Sequence, residues 1–330
     1  MVKVYRDEDA DLSALEGETI AVIGYGNQGR AQALNMRDSG LEVIIGNIRD
    51  ESYQRAVEDG FPTYSIPEAA EKGSIVLLLL PDEVQPKVYE RDIKPHLDEG
   101  DALVFAHGYN IHYGFIQPPE NIDILLLAPR MIGRYVRELY VEGYGAPAFI
   151  AVHQDASGKA LERLLALAKA IGATRAGALE VSFAIETELD HFSEHYVAPL
   201  IARALLLSFE VLTEMGYPPE AVLLELYMSG ELSEVAKAMA LDGLYGQLPL
   251  HSRTSQYGQL LYAERVLPDG EKQLIREIVK EIQTGVFARE WSLEQRLGYP
   301  VFRKLWERAM RHPINEAERR LRELVSIRLP

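Results

Sequence analysis

The stretch ETELDHFSEH, residues 186–195, places four carboxylates and two histidines within ten residues. At about 100° per residue, Asp190 and Glu194 lie about 40° apart on one helix face, with Glu186 beside them. Like charges at this spacing destabilise a helix unless a cation neutralises them, and an all-oxygen ligand set selects Mg²⁺ or Mn²⁺. On the residues alone, such a stretch is more typical of a solvated acidic helix face, and a divalent-metal site is the alternative interpretation.

The two histidines of this stretch suggest a second interpretation, a zinc pair, because His191 and His195 also lie four residues apart. The order H-F-S-E-H differs from the H-E-x-x-H of zinc proteases in the position of the glutamate. Neutral histidines packed beside the carboxylates are the interpretation that the sequence favours.

A second acidic stretch, LELYMSGELSE, offers Glu225, Glu231 and Glu234 on a helix that Gly230 is expected to distort. Carboxylates from two helices can hold two magnesium ions a few ångströms apart. If both stretches bind metal, they would together make a dinuclear magnesium site.

A glycine-rich turn, VIGYGNQGRAQAL, has the G-x-G-x-x-G spacing of a dinucleotide site at the end of one predicted strand and the start of a helix. The first glycine makes the tight turn, the second lets the backbone approach the pyrophosphate, and the third lets helix and strand pack closely. The predicted cofactor contacts in this turn are Gly24, Tyr25, Gly26, Asn27, Gln28 and Gly29.

The residues after the second predicted strand bear on the choice between NADH and NADPH. Arg49 and Ser52 could hold a 2′-phosphate, whereas Asp50 and Glu51 would repel a phosphate and could bind free ribose hydroxyls. Part of this loop could also be simply a solvated charged surface. The sequence slightly favours NADH as the cofactor and is also compatible with NADPH.

Two later strand ends point to the same crevice, because ligands bind beyond the carboxyl ends of parallel strands. Asp82 and Gln85 follow one predicted strand, and His107 follows the next. We expect all three side chains to lie at the crevice where the cofactor binds, with a structural role for His107 as the alternative.

The composition narrows the classes of partner. With 34 basic and 50 acidic side chains, the net charge of −16 argues against nucleic acid. The absence of cysteine excludes disulfides and thiolate chemistry and fits a reducing cytoplasm. The acidic N-terminus does not resemble a signal peptide, and the purely aliphatic runs are short for a membrane span. We expect a cytoplasmic protein with no membrane partner.

The elements that must position these residues change in kind along the chain. Apolar strands alternate with helical patterns in the first half, which indicates a parallel sheet covered on both faces. From Phe183 onward the periodicity is helical only. We predict an α/β domain over residues 1–182 and an all-helical domain over residues 183–330. The predicted strands are 19–24, 41–46, 74–80, 102–108, 123–129 and 148–153.

Taken in order, these motifs resemble the ketol-acid reductoisomerase (acetohydroxy-acid isomeroreductase) family, in its short class with one helical domain. The resemblance runs over nearly the whole chain. It rests on DLSALEGETIAVIGYGNQGRAQALNMRDSG, LLPDEVQ, FAHGYNIHY, LLLAPR, VHQDASGKA, ETELDHFSEH and HSRTSQYG.

The resemblance implies a Rossmann domain followed by a knotted helical domain, with an active site completed by a second subunit of a homodimer or larger homo-oligomer. It also implies the reaction. Two Mg²⁺ ions would promote alkyl migration in 2-acetolactate, and NAD(P)H would reduce the product to 2,3-dihydroxyisovalerate, a step of branched-chain amino-acid synthesis. Acetohydroxybutyrate would react likewise.

The resemblance also implies roles for individual residues. Asp190, Glu194, Glu225 and Glu231 match metal ligands, the last two from the partner subunit. His107, Arg130 and Glu231 match catalytic positions. Ser252 matches a substrate-binding serine, and Gly133 lies beside the nicotinamide.

Two departures from the family pattern stand out. Arg130 occupies the position of a family lysine, and it keeps the charge but is a poor acid near neutrality. The partner-subunit glutamates are normally four residues apart, but Ser229 stands at that spacing from Glu225. We align Glu231 with the second ligand and keep Glu234 as the alternative.

Two rival functions share part of this pattern. A metal-free β-hydroxyacid dehydrogenase also joins a Rossmann domain to helices but has no use for the acidic pair. A catalytically silent dinucleotide-binding sensor would be consistent with Arg130.

Overall fold

The structure, a computed structural model, describes residues 2–326. These residues form two compact units, which divide between Leu189 and Asp190, inside a helix. The domain boundary predicted between residues 182 and 183 lies just before that helix.

The first unit is built on one nine-stranded sheet. Its strands are β1 Val4–Tyr5, β2 Thr19–Ile23, β3 Glu42–Gly46, β4 Thr63–Tyr64, β5 Ile75–Leu78, β6 Ala102–Phe105, β7 Asp123–Pro129, β8 Ala148–Gln154 and β9 Ala178–Glu180. Their order is β1-β9-β8-β7-β6-β5-β2-β3-β4. All six predicted strands are present. The three that the sequence did not indicate, β1, β4 and β9, are only two or three residues long.

Six neighbouring strands from β4 to β7 are parallel, and their apolar residues are buried on both faces. The predicted parallel sheet is wrong at two places, because β8 pairs antiparallel with β7 and β1 pairs antiparallel with β9. The connection from β7 to β8, which contains a helix at Gly133–Val141, explains the first, because it returns to the end of β7. The backbone N–H of Arg130 bonds to the Pro147 carbonyl, so β8 starts at the sheet edge where β7 ends.

The helices of the first unit cover this sheet. They are α1 Asn27–Asp38, α2 Glu51–Glu58, α3 Ile66–Lys72, α4 Gln85–Val88, α5 Tyr109–His112, α6 Gly133–Val141, α7 Ala160–Ala170 and α8 Ala173–Ala176. The segment after β5 is helical in three successive forms: α4, a π-turn at Tyr89–Ile93 and a 3₁₀ turn at Lys94–His96. Strand β2 neighbours both β3 and β5, so the strand order reverses there. A dinucleotide binds at such a point in doubly wound sheets.

The rest of the chain is helical. Among the described residues no strand follows Glu180, as the sequence predicted. The helices are α9 Phe183–Phe192, α10 Ala198–Glu214, α11 Pro219–Leu223, α12 Glu231–Asp242, α13 Arg253–Val266, α14 Lys272–Gln283, α15 Val286–Arg296, α16 Pro300–Met310 and α17 Pro313–Leu324. A small core of the second unit forms where α10, α11 and α17 pack around Phe209, Leu223 and Leu321.

Helices α9 and α10 are joined by a π-turn at Ser193–Val197 into one long helix. Pro199 provides the cause, because it lacks an N–H and its ring clashes with the preceding turn of an α-helix. The widened turn is closed instead by the Ala198 N–H, which bonds to the Ser193 carbonyl.

This long helix, Phe183–Glu214, is the one segment among residues 2–326 that is long and apolar enough to cross a membrane. Length and composition alone are weak evidence, since core helices of large proteins pass the same test. The absence of a membrane partner stays a prediction.

Candidate active site

The glycine-rich turn has the local geometry that a dinucleotide site requires. Gly24 has a φ of 97°, and an added Cβ there would lie 2.6 Å from the Leu79 carbonyl oxygen. Gly26 faces open space, and a Cβ on Gly29 would lie 2.0 Å from the Gly24 carbonyl oxygen. The three glycines therefore serve the turn, the open approach and the close helix packing that their spacing predicted.

The side chain of Tyr25 lies in the core rather than in the crevice, with 1% of its surface exposed. Its hydroxyl donates to Asp59 Oδ2 at 2.8 Å, and Arg30 binds both oxygens of the same carboxylate. Burial and the hydrogen bond to Asp59 raise the pKa of Tyr25. A contact between Tyr25 and a dinucleotide, as predicted, would have to use its backbone.

The start of α6 packs against the glycine-rich turn. A Cβ on Gly133 would lie 2.1 Å from the Asn27 carbonyl oxygen, so only glycine allows this approach. Gln28 Nε2 donates to the Met131 carbonyl at 2.8 Å. Gly133, predicted beside the nicotinamide, is thereby fixed next to Asn27 at the first turn of α1.

The loop after β3 uses its predicted cofactor residues in part for its own structure. The Asp50 carboxylate caps α2 by accepting the Tyr53 N–H, and it also accepts from Asn47 Nδ2 at 2.8 Å. Arg49 is exposed and lines a cavity of about 470 Å³ together with Glu68. Ser52 lies in the first turn of α2 and is half-buried.

The ends of β5 and β6 are joined by a network of side chains around Asp82. Asp82 Oδ2 lies 2.8 Å from His107 Nδ1, and Gln85 Nε2 lies 3.3 Å from Asp82 Oδ1. Asn110 Nδ2 donates both to the Asp82 carbonyl at 3.0 Å and to Gln85 Oε1 at 2.9 Å. The predicted neighbours Asp82, Gln85 and His107 are thus brought together, and Asn110 joins them without having been predicted.

Glu186, at the start of α9, is fully buried against the same strand ends. Its Oε2 accepts the Gly108 N–H at 2.8 Å, and its Oε1 accepts from Arg130 Nη1 at 3.2 Å. A nitrogen of His107 lies within 4.8 Å of a Glu186 carboxylate oxygen. A Cβ on Gly108 would lie 2.5 Å from Thr187 Oγ1 and 3.2 Å from Glu186 Oε2, so glycine permits this close packing.

The predicted ligands Asp190 and Glu194 follow Glu186 along the long helix. Asp190 lies one turn after Glu186 and is half-buried, whereas Glu194 is exposed. Glu194 belongs to the π-turn, so the angle of about 40° predicted for a regular helix does not apply to this pair. π-turns inside α-helices occur frequently at functional sites.

The two histidines of the acidic stretch pack on each other. His191 and His195 stack with ring centroids 5.1 Å apart, and Phe287 lies against both rings. Burial lowers the pKa of His195. That both histidines are neutral stays a prediction.

The second acidic stretch is not one distorted helix but two elements. Glu225 lies in a π-turn, Leu224–Met228, and Gly230 ends that segment with a φ of 89°. Glu231 is the first residue of α12, while Glu234 forms an ion pair with Lys237 at 2.8 Å.

Ser252, the predicted substrate-binding serine, is the N-cap of α13. Its side-chain oxygen accepts the Ser255 N–H at 3.3 Å. The serine is exposed.

The sequence analysis missed one further pair beside this site. His112 Nε2 lies 3.8 Å from Glu188 Oε1, and burial lowers the pKa of His112. The motif FAHGYNIHYG contained His112, but only the fold of α5 against α9 gives it a neighbour on the acidic helix.

Comparisons with known proteins agree with the geometry. The model of the acetohydroxy acid isomeroreductase NADPH-binding domain matches residues 14–177, and that of the ketol-acid reductoisomerase C-terminal domain matches residues 183–327. A ketol-acid reductoisomerase (NADP(+)) of Pyrobaculum aerophilum is 47% identical over 98% of this chain and 99% of its own length. That of Methanopyrus kandleri is 46% identical over 98% of this chain and 99% of its own.

A solved structure is similar over the same extent. An NADH-preferring ketol-acid reductoisomerase from an uncultured archaeon superposes with a TM-score of 0.93 at 38% identity, covering 98% of this chain and 99% of that one. With two family models matching in order and relatives similar from end to end, the chain belongs to the ketol-acid reductoisomerase family of NAD(P)-dependent enzymes.

Proposed function

We propose that the chain catalyses the magnesium-dependent conversion of 2-acetolactate to 2,3-dihydroxyisovalerate with NAD(P)H, and the equivalent reaction of 2-aceto-2-hydroxybutyrate. The observation that carries the proposal is the bond between Glu186 and Gly108. It holds the start of the acidic helix at the strand end that bears His107, within the same unit as the dinucleotide turn. His107, Glu186 and the dinucleotide turn then lie at the carboxyl ends of neighbouring parallel strands, where ligands of such sheets bind.

The dinucleotide would lie over the glycine-rich turn, with its pyrophosphate at the N-terminus of α1. The open space at Gly26 and the twelve residues of α1 fit that role. Bound nicotinamide would supply the hydride. The remaining proposed contacts are Gly24, Tyr25, Asn27, Gln28, Gly29, Arg49, Asp50, Ser52, Asp82, Gln85 and Gly133.

Asp190 and Glu194 of one subunit would hold the magnesium ions together with Glu225 and Glu231 of the other. All four donors are carboxylate oxygens, which suit Mg²⁺. Bound Mg²⁺ would polarise the substrate's oxygens as a Lewis acid during alkyl migration. The pairing of Glu234 with Lys237 supports Glu231 as the second ligand of the pair.

The protein's own residues have separate tasks around the substrate. Arg130 keeps a fixed positive charge at the end of β7 and holds the buried Glu186 carboxylate. Because a guanidinium keeps its proton near neutrality, proton transfer falls to His107 and to solvent rather than to Arg130. Ser252 would bind substrate, and Glu231 would act both as a ligand and in catalysis.

The shared site requires at least a homodimer. The apolar stretch of the long helix Phe183–Glu214 supports this, because only 6% of its most apolar window is buried within the single chain. A second copy of the chain would cover it. We place the enzyme in the cytoplasm.

We propose that NADH is usable and slightly favoured over NADPH. The Asp50 carboxylate sits at the start of α2, and the charge of Arg49 is faced by Glu68 across the neighbouring cavity. Both acids oppose a 2′-phosphate at this loop. Relatives named for NADP(+) and a solved NADH-preferring relative are both similar to the chain, so the preference has to be measured.

The test is the oxidation of NADH and of NADPH in parallel, with 2-acetolactate and Mg²⁺, followed by nicotinamide absorbance. Chelation of Mg²⁺ with EDTA and the variant Asp190→Asn should each abolish the reaction. Oxidation that survives EDTA would support the metal-free dehydrogenase instead. A protein that binds nucleotide but turns over neither would support the silent sensor.

A further inference from the structure

We propose that Asp82, clamped by Gln85 and Asn110, is a positioning residue that fixes the ring orientation and the tautomer of His107. This inference rests on the proposed function, in which His107 acts at the reacting centre. It gives Asp82 a task in catalysis that differs from the cofactor contact expected from its place after β5.

The clamp uses both oxygens of the Asp82 carboxylate. One oxygen lies 2.8 Å from His107 Nδ1, and the other lies 3.3 Å from Gln85 Nε2. Gln85 is itself anchored, because its Nε2 also donates to the Leu80 carbonyl at 2.8 Å. Asp82 therefore cannot rotate away from His107 without losing a second partner.

Asn110 closes the network from the next strand end. Its Nδ2 bonds to the Asp82 carbonyl and to Gln85 Oε1, so it holds the β5 and β6 loops in register. Asn110 is 1% exposed and Gln85 is 4% exposed. Both amides are thus shielded from water, so water cannot easily replace their hydrogen bonds if these are broken.

The chemistry of the carboxylate decides the tautomer. An ionised carboxylate only accepts hydrogen bonds, so the proton of a neutral His107 must sit on Nδ1 and its Nε2 must be an acceptor. Tyr109 stacks on the imidazole with centroids 5.9 Å apart and an interplanar angle of 27°, which fixes the plane of the ring. The arrangement presents Nε2 in one orientation as a base.

Asp82→Asn is the diagnostic variant, because asparagine has one accepting oxygen where aspartate has two. If that oxygen accepts the hydrogen bond from Gln85 Nε2, the asparagine NH₂ faces His107 Nδ1. Nδ1 must then be an acceptor, so the imidazole proton moves to Nε2. By analogy with the serine-protease triad, a reversed tautomer should lower kcat by at least about 10²-fold. The dissociation constant of NADH should change much less than kcat does.

Asn110→Ala tests the clamp without touching His107 or the carboxylate. It should lower kcat by about 10- to 100-fold, as for other residues that orient a catalytic group. Glu83→Gln is the matched control. It removes a carboxylate from the exposed neighbour of Asp82 and should leave kcat as it is.

The ¹⁵N NMR spectrum of the His107 imidazole reports its tautomer, and a merely structural role of Asp82 would not change it. The protein is labelled with ¹⁵N-histidine, and the His107 signals are assigned as those that disappear in His107→Gln. In the unmodified protein His107 should carry its proton on Nδ1. In Asp82→Asn the proton should move to Nε2.

Three results would overturn the proposal: an Nε2–H tautomer in the unmodified protein, an unchanged tautomer in Asp82→Asn, or a loss confined to NADH affinity. The last would return Asp82 to a cofactor contact. Because the spectrum needs no turnover, an inactive protein with the expected tautomer would count against the proposed function alone.

Discussion

Arg130 Nη1 lies 3.2 Å from Glu186 Oε1, and this ion pair joins the end of β7 to the start of the acidic helix. The Glu186 side chain is fully buried, whereas that of Arg130 is 32% exposed. The residue that departs from the family lysine is therefore the counter-ion of a buried carboxylate. Its fixed charge and second contact, over the Phe149 ring at 5.3 Å, suit it to a structural task that a lysine would perform less rigidly.

Two replacements of Arg130 should distinguish the contribution of its charge from that of its shape. Arg130→Met leaves the buried Glu186 carboxylate without its ion-pair partner and should destabilise the protein by about 3 kcal/mol. Arg130→Lys keeps the charge and should retain most of the stability and the activity. Urea unfolding and steady-state turnover measure both effects. Equal stability of the two variants would mean that the buried Glu186 carboxylate does not need the charge of Arg130.

Gly108 should tolerate no side chain. A Cβ there would meet Thr187 Oγ1 at 2.5 Å and the Phe183 carbonyl oxygen at 2.8 Å, so Gly108→Ala must push α9 away from the β6 end. The expected cost is about 1–3 kcal/mol in unfolding free energy, together with loss of turnover. Gly270→Ala, at a glycine with open space around it, is the control and should cost little. A fully active Gly108→Ala would show that α9 can shift without harm.

The sequence predicted the site residues through their positions at strand ends, and it could not predict which of them bond to each other. His107 follows a different strand from Asp82 and Gln85, so the contacts between them depend on strand order, which sequence spacing does not contain. Asn110 looked like a loop amide, and its role depends on a neighbour 25 residues away. The π-turns at Ser193–Val197 and Leu224–Met228 were missed because apolar periodicity is too coarse to register one extra residue per turn.

Helix boundaries in the second acidic stretch could be predicted only in part. Gly230 was expected to disturb a helix, but its left-handed φ ends the segment and starts α12 at Glu231. Similarly, Tyr25 stands in a cofactor motif while its side chain bonds to Asp59, which is 34 residues further along the chain. A motif identifies the backbone role of its residues more reliably than the destination of their side chains.

Glu231 and Glu234 should differ in their effect on metal dependence. Glu231→Gln should raise the Mg²⁺ concentration for half-maximal rate at least about tenfold, since changes even to groups that orient metal ligands cost that much. Glu234→Gln removes only an exposed ion pair with Lys237 and should leave the Mg²⁺ dependence as it is. Magnesium titration of the turnover rate compares them. The reverse order would assign the second ligand to Glu234.

The charge of Glu68 should raise the KM of the protein for NADPH. Hydrogen bonds from the Ser65 hydroxyl and N–H, with smaller contributions from Lys72 and Arg49, hold the pKa of Glu68 below its usual value. Glu68→Gln keeps a side chain that can cap α3 and removes the negative charge that faces Arg49. The KM for NADPH should fall by about two- to fivefold while that for NADH stays constant. Glu71→Gln, on the same helix, is the control, and an equal change for both nucleotides would contradict the prediction.

Tyr89 should make the protein sensitive to alkali. Its side chain is fully buried, and no hydrogen-bond partner of its hydroxyl occurs among residues 2–326. Burial, with a smaller contribution from the charge of Glu90, raises the pKa of Tyr89 to about 12. In the unfolded chain the hydroxyl loses its proton near its ordinary pKa of about 10.

The sign of the pH effect follows from these two values. Between about pH 10 and pH 12 the folded state holds the Tyr89 proton while the unfolded state has lost it, so stability falls as the pH rises. Tyr89→Phe removes this titration. Relative to the unmodified protein it should gain up to about 1.4 kcal/mol per pH unit above pH 10, with little difference at neutral pH. Urea unfolding of both proteins at several pH values measures the gain, and parallel curves above pH 10 would mean that the hydroxyl ionises freely in the folded state.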